Sequence, residues 1–221
     1  MVSAETLARL GLQPNRLVET IVATYTAEGL PHAAPMGLRL REDLKAEIKP
    51  YLQTKTYQNL KAWKAYTANF TLNPLTFFQA TFKGEPEAGK LPRDFFLKAS
   101  KVRAPRLKCA DGWLEVEVVE VVEEAGRALF TGEIVAVGVA RRQPKAFCRA
   151  DFAAVESLIH ATRVLEAAEG RKAENLLRLI ASYQSLVRRV APNSEAEKVM
   201  VGLASILERK GFKVEAFEPY F

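Results

Sequence analysis

From Thr54 to Asn59 the chain reads TKTYQN, with three hydroxyls, a lysine and an asparagine in six residues and neither acid nor glycine among them. Donors of this kind at the start of a helix suit anion binding, because the free amides and the positive end of the dipole point the same way. The dipole itself is worth only ~0.3–1 kcal/mol. Each hydrogen bond to a charged group adds ~1.5–3 kcal/mol. Donors from Thr54, Thr56, Tyr57 and Asn59, with Lys55 beside them, supply much of the roughly 8 kcal/mol of micromolar binding. The stretch therefore reads as a phosphate cradle made of side chains in place of a glycine loop.

A second stretch of interest precedes it. HAAPMGLRL, from His32 to Leu40, is rich in small residues, and Pro35 lacks an amide. Small residues let a flat ligand lie against backbone whose amides and carbonyls read its polar edge. They equally suit a strand crossed closely by another element. His160 and Arg163, in IHATR, lie near one another on a helix, where Arg163 can meet a phosphate or carboxylate if that helix packs near a ligand; otherwise it is a surface arginine beside a half-buried histidine. Trp63 and Trp113 are read as core or dimer contacts.

Other chemistries find little support. With only His32 and His160 as histidines, a Ser-His-Asp or Cys-His site has few bases, and no GxSxG, HExxH, Walker-type or GxGxxG pattern occurs. Cys109 and Cys148 stand far apart without metal-type neighbours, which argues for reduced thiols in a cytoplasmic protein and against structural zinc. No apolar run approaches the ~20 residues that span a bilayer. The N-terminal MVSAETLARLGLQPNR mixes acids and bases, unlike a signal peptide.

The elements that must position these residues fall into two regimes. RLVETIVATYTA (16–27) reads as a strand, Glu28 to Pro31 as a turn, and His32 to Arg41 as the returning strand of a hairpin. AEIKPYLQ is a third strand that Pro50 confines to an edge or a strand end. TYQNLKAWKA is a short helix and YTANFT a strand. FLKASKVRAPRLKC follows, then GWLEVEVVEVVEEAG and RALFTGEIVAVGVARR joined at Gly126. In WLEVEVVEVVEE the alternation breaks at Val118-Val119, which predicts a bulge in a long strand. Many strands without regular intervening helices indicate a barrel.

From Asp151 the period becomes 3.6. Phe152, Val155, Ile159, Thr162 and Leu165 share one face of a first helix, stopped at Gly170. Leu176, Ile180, Tyr183, Val187 and Val190 mark a second, ended by Pro192. A third opens with the capping box Ser194 and Glu197 and stops at Gly211. The expected organisation is an α+β chain, mostly β with α: a barrel domain over 1–148 and a three-helix unit over 149–221.

HAAPMGLRL after an acid-Gly turn, then TKTYQNL, then TANFTLNP, together resemble the FMN-binding split-barrel superfamily. More narrowly they resemble its archaeal and bacterial family of flavoproteins with a helical C-terminal extension, whose first extension helix CRADFAAVESLIHATRVLEA also resembles. The likeness covers roughly residues 16–170. It implies a split barrel with FMN at a homodimer interface, Pro35, Met36, Gly37 and Leu38 bordering the flavin ring, and Thr54, Thr56, Tyr57 and Asn59 holding phosphate and ribityl. Asn69, on the following strand, is implied to reach the cofactor, and a deazaflavin fits the superfamily as well as FMN. The chain departs from the pyridoxamine-phosphate-oxidase branch, which has an arginine where Pro35 or a neighbour stands here, so that activity is not implied.

The function expected is that of an FMN-binding flavoprotein, a flavin-dependent oxidoreductase acting on a small molecule; no acid or base is nominated. One alternative is a flavin carrier or sensor without turnover. Another is a basic nucleic-acid-binding barrel. The net charge is +6, and residues 48–84 carry five lysines and no acid, which favours an anionic ligand over a generally basic surface. The absence of arginine from that segment weighs against nucleic acid.

Overall fold

The computed structural model describes residues 2–15, 17–140, 148–167 and 170–214. Arg16, Arg141 and Arg142, placed above at the ends of the first and last barrel strands, lie outside the described residues, as does the stretch 141–147 that adjoins the expected domain boundary. The chain forms two compact units that interleave in sequence. One comprises Met1–Thr71 and Pro92–Gln143, the other Leu72–Leu91 and Pro144–Phe221.

The first unit opens with the short helix α1 (Ala4–Arg9). Strands β1 (Leu17–Tyr25) and β2 (Pro31–Leu40) make the expected hairpin, and Gly29 takes the positive φ of +77° that the turn needs. β3 (Ala46–Ile48) is cut short ahead of Pro50. Helix α2 (Lys55–Trp63) leads into β4 (Ala65–Phe70). After the second unit's insertion come the short strands β5 (Phe96–Lys98) and β6 (Pro105–Leu107), then the long pair β7 (Gly112–Glu124) and β8 (Arg127–Val139).

Six strands close a barrel in the order β1-β2-β3-β8-β7-β4, each neighbour antiparallel, while β5 and β6 pair separately. Closure comes from β4 returning to β1, with Asn69 opposite Ile21. The ladder between β7 and β8 shifts register between Val118 and Glu120, at the predicted bulge, and again between Glu115 and Val116. Such bulges bend a strand and let a sheet curl. Large side chains fill the interior, among them Tyr66, Phe130, Leu38, Ile48 and Leu114, each at most 1% exposed.

The second unit is helical: α3 (Pro74–Thr81), α4 (Arg149–Ala167), α5 (Arg171–Val190) and α6 (Glu195–Arg209). α3 has no counterpart in the sequence reading, although Asn73 and Pro74 carry a start signal. The Asn73 side chain caps the Leu75 amide, and proline sits at the first helical position.

The expected buried face of α4 needs correction. Phe152 is exposed, and Val155, Ile159, Thr162 and Leu165 are only half-buried. The face that packs inward is Ala150, Ala154, Ser157, Ala161 and Val164. Leu158 and His160 are buried beside them. In the capping box at α6, Ser194 accepts the Glu197 amide at 3.2 Å. The Glu197 carboxylate instead takes the Asn193 amide at 2.7 Å, since Asn193 turns through a positive φ of 61°.

Candidate functional site

β2 and the start of α2 converge in the barrel unit. His32 Nε2 lies 3.3 Å from the hydroxyl of Thr56, so the strand and the helix meet through a hydrogen bond at the two expected stretches. Thr56 is itself buried at 1% exposure, which leaves the His32 ring as the more accessible member of the pair.

The other hydroxyls and amides of TKTYQN have partners within the protein. Thr54 is the N-cap: its side chain accepts the Tyr57 amide at 3.3 Å and donates to the Tyr51 carbonyl at 2.8 Å. Tyr57 donates to Glu123 at 2.5 Å, and its ring meets Phe130 edge-on. Asn59 donates to the Thr24 hydroxyl at 2.9 Å. Lys55 is exposed. The amides of Lys55 and Thr56, in the first helical turn, have no acceptor within the helix.

The lysine excess of this segment is answered from the far end of β7. Lys61 pairs with Glu123 at 3.0 Å, and Lys49 pairs with Glu124. Hydrogen bonds from Tyr57 and Lys61 hold the Glu123 carboxyl below its ordinary range. A segment that is acid-free in sequence is thus partly neutralised in space.

On β2 the four residues expected to border a ring divide by strand alternation. Leu38 is fully buried and Met36 packs against the same barrel core. Pro35 and Gly37 alternate to the opposite face. A Cβ on Gly37 would stand 2.9 Å from the Leu17 side chain, which lies over that face. Asn69 is 0% exposed and acts as an internal latch. Its amide nitrogen donates to the Ile21 carbonyl and the Thr67 hydroxyl, both at 2.9 Å, and its oxygen accepts the Leu107 amide at 2.8 Å. These bonds join β1, β4 and β6 in a clasp.

His160 and Arg163 lie on α4, in the helical unit. His160 is 7% exposed, stacks on Tyr183 with centroids 6.0 Å apart, and has Glu156 at 3.7 Å. Burial lowers its pKa, with Arg163 acting in the same direction and Glu156 opposing. Arg163 is exposed.

One polar residue escaped the sequence reading. Glu115 looks like any outward member of the β7 alternation, yet it is 1% exposed. Its carboxylate accepts the Ser100 amide and hydroxyl at 2.9 Å each, the Lys101 amide at 2.6 Å and the Val102 amide at 3.3 Å. Burial pushes its pKa up, but the donors of Ser100, Lys101 and Val102 outweigh this and hold it low. Trp63, at the end of α2, donates to the Thr26 carbonyl at 2.9 Å and carries the Arg103 guanidinium 3.8 Å above its ring. Trp113 lies flat on Gly138, with Arg106 over its outer face at 4.2 Å.

A closed six-stranded antiparallel barrel with this strand order, in a chain that also carries a helical unit, defines the class: a split β-barrel. The particular family follows from the sequence. A model of the N-terminal domain of the family described as protein of unknown function DUF447 matches residues 18–141, and that family's C-terminal model matches 148–201; the chain belongs to this family. Among solved structures it is similar to an FMN-bound protein of the same family from Methanosarcina mazei. That likeness has 22% identity and a TM-score of 0.76, over 90% of this chain and 98% of the other. It is also similar to the flavin reductase HpaC complexed with NADP+, with 16% identity and a TM-score of 0.50 over 64% and 90%. The styrene monooxygenase flavin reductase of Pseudomonas putida S12 matches at 15% identity and 0.49 over 58% and 82%. Among the described residues, no helix is long and apolar enough to cross a membrane.

Proposed function

We propose that the barrel unit binds FMN along β2 and the start of α2, and serves as a flavin-dependent oxidoreductase toward a small molecule. The convergence of His32 and Thr56 at 3.3 Å carries this reading, because it joins the strand suited to a flat ring to the helix start suited to a phosphate. The FMN-bound family relative supports the cofactor.

The residues fit the group with a division of labour. The Lys55 and Thr56 amides, the Lys55 ammonium and the His32 ring are the phosphate donors, reinforced by the helix dipole. Thr54, Tyr57 and Asn59 hold that helix start in place through their own partners. Pro35 and Gly37 face the ring once the exposed Leu17 side chain swings aside, while Met36 and Leu38 support it from the core side. Bound FMN supplies two-electron transfer at its ring; the chain binds and orients it and excludes water. In this reading two copies share FMN at their interface in the cytoplasm, where Cys109 and Cys148 stay reduced, and a deazaflavin is the alternative cofactor.

The test begins with the absorbance spectrum and mass of whatever copurifies with the protein. FMN at full occupancy is expected, with His32→Ala plus Lys55→Ala losing it while far-UV circular dichroism is kept. Flavin retained by that double variant at wild-type occupancy places the cradle elsewhere. Mixing with NADH or NADPH and watching the flavin bleach, then recover on adding an acceptor, separates an oxidoreductase from a carrier. A light-scattering mass of one chain removes the shared-interface reading.

A further inference from the structure

The opposite end of α2 borders a cavity that the flavin reading does not use. It has a volume of about 390 Å³ and is lined by Tyr25, Trp63, Lys98 and Arg103, with apolar surface from Ala99 and Val102. A nine-residue helix rises roughly 12 Å from its first residue to its last, so this cavity is well removed from the Thr56–His32 pair. Its volume falls in the range of small-molecule sites.

Its electrostatics are one-sided. No acid lines it, and neither Lys98 nor Arg103 has a carboxylate partner among the described residues. Lys49 and Lys61, on either side of the start of α2, do have such partners.

The cavity is also built in advance. The loop between β5 and β6 is pinned from beneath by the four donors that converge on Glu115, and the Ala99 amide closes it on the Ala104 carbonyl at 3.0 Å. Trp63 is fixed by its bond to Thr26 and provides the platform on which Arg103 lies flat. Stacking orients the guanidinium and leaves its in-plane N–H fork available, the geometry that takes a carboxylate through two parallel bonds.

We infer that this cavity is a second ligand site of the barrel unit and that it takes a small aromatic carboxylate, the carboxylate on Arg103 and Lys98 and the ring against Tyr25 and Val102. Preorganisation of the loop lowers the entropic cost of binding.

Benzoate is the probe, titrated by calorimetry into the full chain as purified, with flavin content recorded throughout. One saturable benzoate per chain is expected. Arg103→Gln weakens it roughly ten-fold or more, Lys98→Gln weakens it less, and both keep the wild-type flavin content and melting temperature. Cyclohexanol, a ring without charge, does not compete. The inference is overturned by absent saturation, by equal affinity in both variants, or by displacement with inorganic phosphate at matched ionic strength as readily as with a second aromatic carboxylate. It is also overturned if benzoate expels FMN, since the cavity is then part of the flavin site. A chain that never binds flavin still gives a benzoate isotherm, so the two readings fail separately.

Discussion

The two ends of α2 are both rich in donors and positive charge, and they use them in opposite ways. Over its first turns, Thr54 caps the helix, Tyr57 donates to Glu123, Asn59 holds Thr24 and Thr56 meets His32. Most polar side chains there maintain the backbone, and what is offered to a ligand is amides, one exposed lysine and a histidine ring. At the end, the polar work is delegated to Glu115 beneath the 99–104 loop, and Lys98 and Arg103 have no anionic partner among the described residues. A binding region is thus recognised by its spare donors, and a count of donors alone does not find it.

The most disruptive way to break this contrast is to remove the support at the second end. Glu115→Ala leaves three buried or half-buried amides without an acceptor and should cost about 3 kcal/mol or more, measured by urea denaturation. Glu115→Gln keeps the shape and should cost less. The carboxyl is held below its ordinary value in the folded state, so its contribution is complete above the usual carboxylate range and is lost as pH falls through the folded pKa. The stability advantage of wild type over Glu115→Gln should therefore shrink between about pH 5 and pH 3. An advantage that persists unchanged to pH 3 removes the carboxylate's role.

At the first end the effects are smaller because each bond is single. Asn59→Leu strands the buried Thr24 hydroxyl and should cost about 1–2 kcal/mol in the same denaturation experiment, without moving benzoate affinity. A shift in benzoate affinity shows that the two ends are coupled.

The helical unit sharpens the same distinction between satisfied and spare groups. His160 is buried, with no partner for Nδ1 among the described residues, and burial, with Arg163 acting the same way and Glu156 opposing, lowers its pKa. The unfolded chain protonates this imidazole first, so stability is complete above about pH 6.5 and falls as pH drops below it. His160→Phe should flatten that limb in the thermal unfolding of the chain between pH 7 and pH 5. Smallest of all, Tyr57→Phe and Lys61→Ala remove partners of the exposed Glu123 and should each leave the urea midpoint close to that of wild type. Larger losses show that this surface cluster is a true anchor.

Much of the fold was legible because its signals are local. The Gly29 turn, the Gly126 turn, the bulge at Val118-Val119 and the breaks at Gly170 and Gly211 are all backbone requirements written in one or two residues. The helix start at Thr54 was legible for the same reason, since a threonine there can cap its own helix. α3 was missed because LTFFQAT is apolar without a polar face, even though Asn73-Pro74 announces it. The buried face of α4 was misjudged because hydrophobicity ranks Phe152 above Ala154, whereas the fold buries Ala154 and exposes Phe152.

By itself, then, the sequence determined the elements, the barrel class and the two stretches that meet at the candidate flavin site, because strand period, turn chemistry and helix caps act over a few residues. The tertiary structure alone decided which donors are spare. Glu123 and Glu124 neutralise lysines more than fifty residues away, Asn69 turns inward as a clasp, and Glu115 becomes a buried anchor instead of a solvated acid. These outcomes depend on barrel closure bringing distant segments within hydrogen-bonding range, and a bond between two side chains is settled only where both have arrived.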